Sequence, residues 1–439
     1  MIYLRNPNWL AILVFRDRDS TIPYKEERQM RRERSIIRLS VLWFFLMLSI
    51  VPLAFSDAEA SSPPKTIKIG GAVSFTGGFA SGGLESKFGY EQAVADINKG
   101  GGIYIKEFDK KIPLELIIED DESDSTKCVA RLEKMHSLDK VVAYLGPYGS
   151  TLCAAAAGIA EKNRVPILAV SFSLLAPHQQ GYKYLFSPFV KTDTGLEAIF
   201  ATIDTVPKVQ RPSRVAVFAE KTDWGEELMR LTPDVAKKHG YTVITSKSYA
   251  VGTKDFSSLI IAAKSGDADV VIGVPTPPDG IALMRQIKEL DYNPKVVVFW
   301  RAAGTPLWSA NLKQDGDYVG YCSNWDHNFK YLGCSELVAA YKAKHNKLPA
   351  VTVGVTYSCV QILADAIKRA GTLDSNKIRD AIAATDMTTV QGPVKFRADG
   401  VGITPVAIMQ WQKGISQVVF HEKFITSPLL LMPKWSERK

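Results

Sequence analysis

Residues 141–171, VVAYLGPYGSTLCAAAAGIAEKNRVPILAVS, decide the fold. This stretch begins and ends with short apolar runs, VVAYLG (141–146) and VPILAVS (165–171), which are typical of strands buried on both faces. Between them, Ser150 is positioned to cap an alanine-rich helix over residues 152–163. A helix between two buried strands predicts a layered α/β structure with a parallel sheet.

The same alternation extends in both directions from this stretch. Upstream lie two further strand patterns, separated by a helical pattern in which Tyr90, Val94 and Ile97 recur at i, i+4 and i+7. After SPFVKTDTG (187–195) the alternation begins again, which predicts a second α/β lobe. The strand patterns, first upstream and then downstream, are TIKIGGAVSF (66–75), IPLELIIEDD (112–121), RVAVFAE (214–220), TVITSKSYAV (242–251), ADVVIGVP (268–275) and KVVVFW (295–300).

Three helical patterns over residues 335–385 and two short strand patterns over 406–420 follow the second lobe, so we expect the chain to cross between the lobes more than once. In open parallel sheets, ligands bind beyond the carboxyl ends of the strands. The candidate loops are therefore those that follow strands: 75–83, 146–151, 171–173, 220–225, 275–279 and 300–305.

Composition excludes several classes of protein. The chain has 439 residues, 46% of them hydrophobic and 23% charged, which suffices for sizeable cores and excludes a disordered chain. Its formal charge of +8 is dispersed along the sequence instead of forming a basic stripe, so no nucleic-acid partner is expected.

Sequence motifs for catalysis and cofactor binding are missing. The glycine-rich loop TGGFASGG (76–83) departs from the dinucleotide-binding pattern, and the phosphate-binding and serine-hydrolase motifs are absent. The six histidines are scattered without metal-ligand spacing, and the acidic run 119–122 fits a solvated strand end better than a calcium loop. We therefore expect no catalytic residues, no cofactor and no metal site.

Residues 1–60 predict a secretory leader. The uncharged run VLWFFLMLSIVPLAF (41–55) follows a basic cluster and precedes Ala58-Glu59-Ala60, a small-x-small cleavage signal. Cleavage after Ala60 would place the mature protein in the periplasm; the alternative is an uncleaved signal anchor. The basic, apolar and small-residue order is complete from Met30 onward, which favours Met30 as the translation start.

Several segments together carry a resemblance to leucine/isoleucine/valine-binding proteins, the type 1 periplasmic solute-binding proteins of ABC transporters. The similarity covers essentially the whole mature chain. Its segments are GYEQAVADINKGGGI (89–103), IIEDDESD (117–124), residues 144–171, YAVGTKDFSSLI (249–260), residues 268–290 and QGPVKFRADG (391–400).

The resemblance implies two Rossmann-like lobes with a ligand cleft between them and three crossovers, expected near residues 188, 318 and 394. The first lobe would comprise 65–188 and 319–394, the second lobe 189–318 and 395–425, and residues 426–439 would form a C-terminal tail. Closure of the lobes around a small ligand would be a hinge motion.

The resemblance also implies a set of ligand-binding residues. Hydroxyls and backbone amides of the first lobe would hold a ligand carboxylate, and closure would bring residues of the second lobe onto its other side. For Ser150 the alternative is a purely capping role, and for Trp224 a place in the core. The positions that match are Ser150, Thr151, Ser171, Ser173, Trp224, Thr276 and Arg301.

Arg301 departs from the family pattern. Relatives that bind aliphatic amino acids have an acidic residue in this region to pair with the ammonium, whereas this chain has WRAAG (300–304). An arginine would repel an ammonium, so either Arg301 faces solvent or the ligand has a second anionic or an aromatic feature. The tryptophans at 300, 308 and 325 favour a planar ligand, although core tryptophans are commoner.

The family resemblance implies a disulfide between Cys128 and Cys153, which would lie on neighbouring helices; the alternative is two buried free thiols. Cys322 and Cys334 form a weaker candidate pair, and Cys359 is left over.

The function that the resemblance implies is capture of a small amino acid or related carboxylate and its delivery to the permease subunits of an ABC transporter, without catalysis. The alternatives are a ligand-sensing subunit for a membrane receptor and an enzyme that uses the cleft.

Overall fold

The computed structural model describes residues 62–438, which form one compact unit from Pro63 onward. The predicted leader and its cleavage site lie outside the described residues. The described strands are β1 (Ile67–Val73), β2 (Ile103–Ile105), β3 (Lys110–Ile112), β4 (Leu114–Asp120), β5 (Ala143–Leu145), β6 (Ile167–Leu168), β7 (Leu185–Phe186), β8 (Arg214–Glu220), β9 (Thr242–Tyr249), β10 (Val270–Gly273), β11 (Val296–Phe299), β12 (Val319–Ser323), β13 (Asp386–Thr389), β14 (Gly392–Phe396), β15 (Gly402–Ile403), β16 (Ala407–Gln412) and β17 (Ile415–Phe420). The described α-helices are α1 (Ala80–Lys99), α2 (Ser125–Lys134), α3 (Ser150–Asn163), α4 (Thr192–Asp204), α5 (Asp223–Lys238), α6 (Ser257–Ser265), α7 (Pro277–Glu289), α8 (Pro306–Leu312), α9 (Cys334–His345), α10 (Val351–Ala370) and α11 (Ser375–Ala383).

Two lobes are built on two sheets, as the sequence predicts. The first sheet has the order β4-β1-β5-β6-β7 and is parallel throughout. The second has the order β17-β16-β12-β11-β10-β8-β9, parallel except for the antiparallel strands β16 and β17. Strand β10, VVIG, is buried along its whole length, as expected for a central parallel strand covered on both faces. The predicted α/β fold with two lobes is confirmed.

The first lobe is completed by helices from late in the chain. Helix α10 packs against α1 so closely that a Cβ on Gly89 would lie 2.0 Å from Thr356 Oγ1. The core beneath them joins Ile67 and Tyr90 of the first strand and helix to Ile362 and Ile382 of the last helices. This lobe therefore has an incomplete core until the chain has returned from the second lobe.

Two of the expected lobe boundaries are wrong. Residues 319–323 were expected in the first lobe, but they form β12, which pairs with β11 and β16 in the second sheet. Residues 395–403 were expected in the second lobe, yet β15 pairs with β14, and Val401 bridges Ser187. The sequence could not show this because each assignment depends on a partner strand, and β16 lies more than eighty residues beyond β12.

The three crossovers therefore lie at residues 187–191, 324–326 and 404–406, and one side chain joins them. Asn324, fully buried on the second crossover, accepts a hydrogen bond from the Val190 amide at 2.6 Å. Its own amide donates to Thr404 Oγ1 at 2.8 Å and to the Pro405 carbonyl at 2.7 Å. Because the primary amide offers both an acceptor and two donors, it can bind all three connections at once.

The expected C-terminal tail runs along the second lobe. The Met432 amide donates to the Lys295 carbonyl at 2.8 Å, and the Trp435 indole donates to the Tyr292 carbonyl at 2.8 Å. No helix within residues 62–438 combines the length and the apolar character needed to cross a membrane.

The predicted disulfide between Cys128 and Cys153 is wrong, because both residues are buried free thiols. The Cys153 thiol is directed instead to the backbone, 3.1 Å from the Pro147 carbonyl and 3.3 Å from the Val170 carbonyl. Cys322, Cys334 and Cys359 are also buried free thiols.

Candidate functional site: the cleft between the lobes

A small polar and aromatic cavity lies between the two lobes, and we call it the inner compartment. It encloses a free volume of about 30 Å³, room for only a few water molecules. Both lobes, the first crossover, strand β12 and the start of α10 contribute to its walls. The lining residues are Tyr148, Ser171, Ser173, Phe189, Trp224, Trp300, Arg301, Gly304, Cys322, Val351 and Thr352.

Arg301 is buried in this cleft, which excludes the alternative that it faces solvent. Its guanidinium forms an ion pair with Glu220, with Nη2 2.9 Å from Oε1 and Nη1 3.3 Å from Oε2. Glu220 ends β8 and Arg301 follows β11, and both strands flank β10 in the parallel sheet, so the two side chains meet at its carboxyl edge. Two contacts between a planar guanidinium and a carboxylate match the geometry of a strong charge-assisted pair.

Aromatic rings enclose the guanidinium. Its central carbon lies 4.8 Å from the ring centre of Trp224 and 5.3 Å from that of Phe79, which belongs to the first lobe. Both distances are within the range of cation–π attraction. Arg301 therefore contacts an aromatic residue of each lobe.

Trp224 lines the cleft and is also buried, so the two predictions for this residue, a ligand contact and a place in the core, are compatible. Its indole Nε1 donates to Thr192 Oγ1 at 3.1 Å, and its ring meets Trp300 edge to face with centroids 5.7 Å apart. It occupies the first turn of α5, whose N-cap Thr222 accepts a hydrogen bond from the Gly225 amide. The cap thus fixes where the helix begins and where the indole points.

Two fully buried side-chain polar atoms of the inner compartment have no hydrogen-bond partner in the described part of the chain. They are the hydroxyl of Ser173 and the indole N–H of Trp300, both at most 3% exposed. Buried polar atoms are nearly always paired, so such groups point to a ligand or water. Ser171, which also lines the compartment, adopts a left-handed backbone conformation with φ of 48°.

The other predicted residues lie elsewhere on the same strand ends. Ser150 does not cap α3, because Gly149 occupies the N-cap position; its buried hydroxyl has no partner within residues 62–438. Thr151 is exposed. Thr276 caps α7 by accepting from the Asp279 amide at 3.3 Å. None of these three lines the inner compartment.

Sequence reasoning missed several residues of the cleft. Glu220 begins one of the candidate loops, and Tyr148 lies within another. The rule that ligands bind beyond the carboxyl ends of parallel strands, which we call the strand-end rule, was therefore sufficient to find both. Burial raises the pKa of Tyr148 to about 12, so its hydroxyl stays protonated. Phe189 and Thr352 lie on a crossover and at the start of α10, where no strand end marks them.

Lys191 and Glu227 lie behind the cleft, at the first crossover. Lys191 Nζ donates to the Phe172 carbonyl at 2.6 Å, and burial lowers the pKa of this lysine to about 7. Glu227 of α5 accepts hydrogen bonds from Thr192 Oγ1 at 2.6 Å and from the Leu175 amide of the first lobe at 2.9 Å. The contact between Glu227 and the Leu175 amide joins the second lobe to the first.

No group of three or more His, Cys, Asp or Glu side chains in the described chain is arranged to hold a metal ion. The cleft thus offers hydrogen-bond donors, one neutralised ion pair and aromatic surface. This combination suits reversible binding of a small polar molecule.

Comparison with known proteins identifies the family of this chain. The family described as "Periplasmic binding protein" matches residues 66–415. A curated relative from Brucella abortus, Leu/Ile/Val-binding protein homolog 7, is 26% identical over 414 residues, covering 88% of this chain and 98% of the relative. Homolog 8 from Brucella suis is 25% identical over 408 residues, covering 88% of this chain and 97% of that relative.

Solved structures share the fold at lower identity. A leucine-binding protein, LivK, from Thermotoga maritima has a TM-score of 0.74 at 21% identity, covering 81% of this chain and 98% of the other. A solute-binding protein from R. palustris in complex with benzoate has a TM-score of 0.71 at 16% identity, covering 82% and 98%. The resemblance seen in the sequence is confirmed, and the chain belongs to the periplasmic binding protein family, among the relatives of leucine/isoleucine/valine-binding proteins.

Proposed function

We propose that this protein is the extracytoplasmic substrate-binding subunit of an ABC transporter, which captures a small amino acid or related carboxylate and delivers it to permease subunits. The observation that carries the proposal is the cleft between two lobes, in which buried, unpaired donors meet at the carboxyl ends of the strands. The relatives' names support it, because they are binding proteins of this kind. The predicted leader supports a periplasmic location.

The mechanism follows from the placement of the donors. Ser171 and Ser173 of the first lobe, with the buried Ser150 hydroxyl, would hold the carboxylate in an open form. Rotation about the three crossovers would then bring Trp224 and Arg301 onto the ligand from the second lobe. Thr151 and Thr276 remain predicted contacts. Closure involves binding alone, so no bond is made or broken in the ligand.

A thermal-shift screen of the mature protein against amino acids, amides and aromatic or aliphatic acids tests the proposal. A ligand that binds only the folded state raises the Tm in a concentration-dependent way. Ser173→Ala should weaken binding of the best compound by about tenfold or more, as expected for a lost hydrogen bond to a charged group. Failure of every class to raise the Tm, together with steady turnover of any one of them, would contradict the proposal.

A further inference from the structure

A second and much larger cavity adjoins the inner compartment, and we call it the outer compartment. Its volume is about 570 Å³, in the range of sites for organic molecules larger than a branched-chain amino acid. Its walls come from both lobes: residues 304–310 and the β16–β17 hairpin of the second lobe, and residues 347–351 of the first lobe. Its apolar wall residues include Pro306, Leu307, Leu348, Pro349, Trp411 and Ile415.

Gly304 and Val351 separate the two compartments and line both. They belong to opposite lobes and lie close together: a Cβ on Gly304 would be 3.6 Å from Val351 Cγ2 and 3.4 Å from Tyr321 Cδ2. Because the constriction is formed by opposite lobes, lobe opening would widen it. A ligand trapped on closure can therefore extend from one compartment into the other.

Most polar groups of the outer compartment already have partners; among them, His327 Nδ1 lies 3.3 Å from Asp326 Oδ1, and Lys347 Nζ lies 3.5 Å from Glu85 Oε1. Asp326 Oδ2 accepts from Ser416 Oγ at 3.2 Å, and its Oδ1 accepts from the Asn328 amide at 2.9 Å. Tyr321 and Ser416 also hydrogen-bond through their hydroxyls at 2.6 Å. A ligand in this compartment thus meets a surface that offers apolar contact more than new hydrogen bonds.

The lining of the inner compartment favours binding of a carboxylate and disfavours binding of an ammonium group. Among the described residues that line it, none is Asp or Glu. The nearby Glu220 is engaged through both oxygens by Arg301, and Oε1 also accepts from Thr222. The available groups are the donors of Ser173 and Trp300. An ammonium placed here would find no carboxylate to neutralise it and would lie near the guanidinium.

We propose that the ligand is an amphipathic monocarboxylate without an α-amino group, whose carboxylate occupies the inner compartment and whose apolar body passes Gly304 and Val351 into the outer compartment. This inference rests on the proposed function and narrows its substrate class. Burial of an alkyl or aryl body in the outer compartment would supply most of the affinity, because apolar area removed from water is the main source of binding energy there.

The test compares phenylbutanoate with homophenylalanine, which differs only by its α-amino group, using calorimetric titration of the full mature protein. We expect phenylbutanoate to bind at least about tenfold more tightly than homophenylalanine, since the amino acid buries an unpaired charge. Propanoate, which lacks the apolar body, should bind much more weakly than phenylbutanoate. Leucine is included to test the wider proposal.

Variants at the constriction localise the apolar body. Gly304→Leu should obstruct the passage and weaken phenylbutanoate binding at least about tenfold, whereas Gly158→Ala, on α3 and outside the lining of both compartments, should not. Should Gly304→Leu fail to fold in a thermal melt, Ala310→Trp at the exposed rim of the outer compartment should give the same loss.

Three results would overturn the inference: equal or tighter binding of homophenylalanine, no binding of phenylbutanoate, or unchanged phenylbutanoate affinity in folded Gly304→Leu or Ala310→Trp. If leucine binds in any of these cases, the substrate class is wrong and the proposed function stands. If none of these compounds binds and the wider screen finds turnover without any rise in Tm, both the inference and the proposed function fail.

Discussion

Replacing Glu220 by Gln should strongly destabilise the second lobe, because the change leaves the buried Arg301 guanidinium without a counter-charge. Glu220 is 1% exposed and Arg301 6% exposed, and two contacts of 2.9 and 3.3 Å join them. At an effective dielectric constant of about 20, two unit charges about 4 Å apart attract by about 4 kcal/mol. Removal of one partner of such a pair costs about 3–5 kcal/mol.

That loss corresponds to a fall in Tm of about 6–20 °C for a lobe of this size, measured by thermal melting without ligand. Asp234→Asn, which neutralises an exposed carboxylate on α5, is the matched control and should change stability by less than about 0.5 kcal/mol. The double variant Glu220→Gln/Arg301→Met should recover part of the loss, because it removes both charges. A Glu220→Gln protein that melts within about 2 °C of the wild type would refute the reasoning, since the guanidinium would then have another partner or water.

Four further predictions concern the hinge, a buried lysine, helix packing and the thiols. Asn324→Ala removes three hydrogen bonds that join the crossovers and should lower the free energy of unfolding by about 2–4 kcal/mol. Urea denaturation measures this loss, and a value below about 0.5 kcal/mol would contradict the role of Asn324 in joining the crossovers. Burial lowers the pKa of Lys191 to about 7, so the unfolded state binds more protons than the folded state between about pH 7 and 10. The free energy of unfolding should therefore rise with pH in that window, by up to about 1.4 kcal/mol per pH unit. Lys191→Met should remove this rise, and parallel pH profiles of the two proteins would contradict the lowered pKa. Gly89→Ala should destabilise the first lobe by about 1–3 kcal/mol because its Cβ meets α10. Gly158→Ala on α3, whose Cβ would lie 4.0 Å from Tyr182 Oη, should instead stabilise by about 0.5–1 kcal/mol, and equal melts of the two variants would contradict the packing. Titration of the denatured, unreduced protein with a thiol reagent should find all five cysteines free, and a count lower by two would reveal a disulfide.

The fold could be predicted from the sequence where the signal is local. Apolar runs such as RVAVFAE become strands, and helical periodicity marks the segments between them, because burial and hydrogen bonding within a short segment decide both. The position of β12 could not be predicted, since its sheet is chosen by pairing with β16, far away in sequence. The family resemblance implied three crossovers, but the positions expected for two of them were wrong.

Prediction of the candidate site from the sequence meets the same limit, because local patterns do not reveal contacts between distant segments. Ser171, Ser173, Trp224 and Arg301 follow strands and line the cleft, as the strand-end rule predicts. The orientation of Arg301 could not be predicted, because it depends on Glu220 across an intervening strand. The larger compartment is lined by the loop before α10 and by a hairpin near the C-terminus, which no local pattern connects.

The late return of α10 and α11 to the first lobe sets an order of events during synthesis. The first sheet is complete in sequence at Phe186, but the helices that cover its core end only at Ala383, about 200 residues later. At about 5–20 residues per second, a ribosome needs roughly 10–40 s to make that interval. Throughout this time the apolar face of the first sheet is available to a chaperone, so a nascent chain should be held in a translocation-competent form until its last helices emerge.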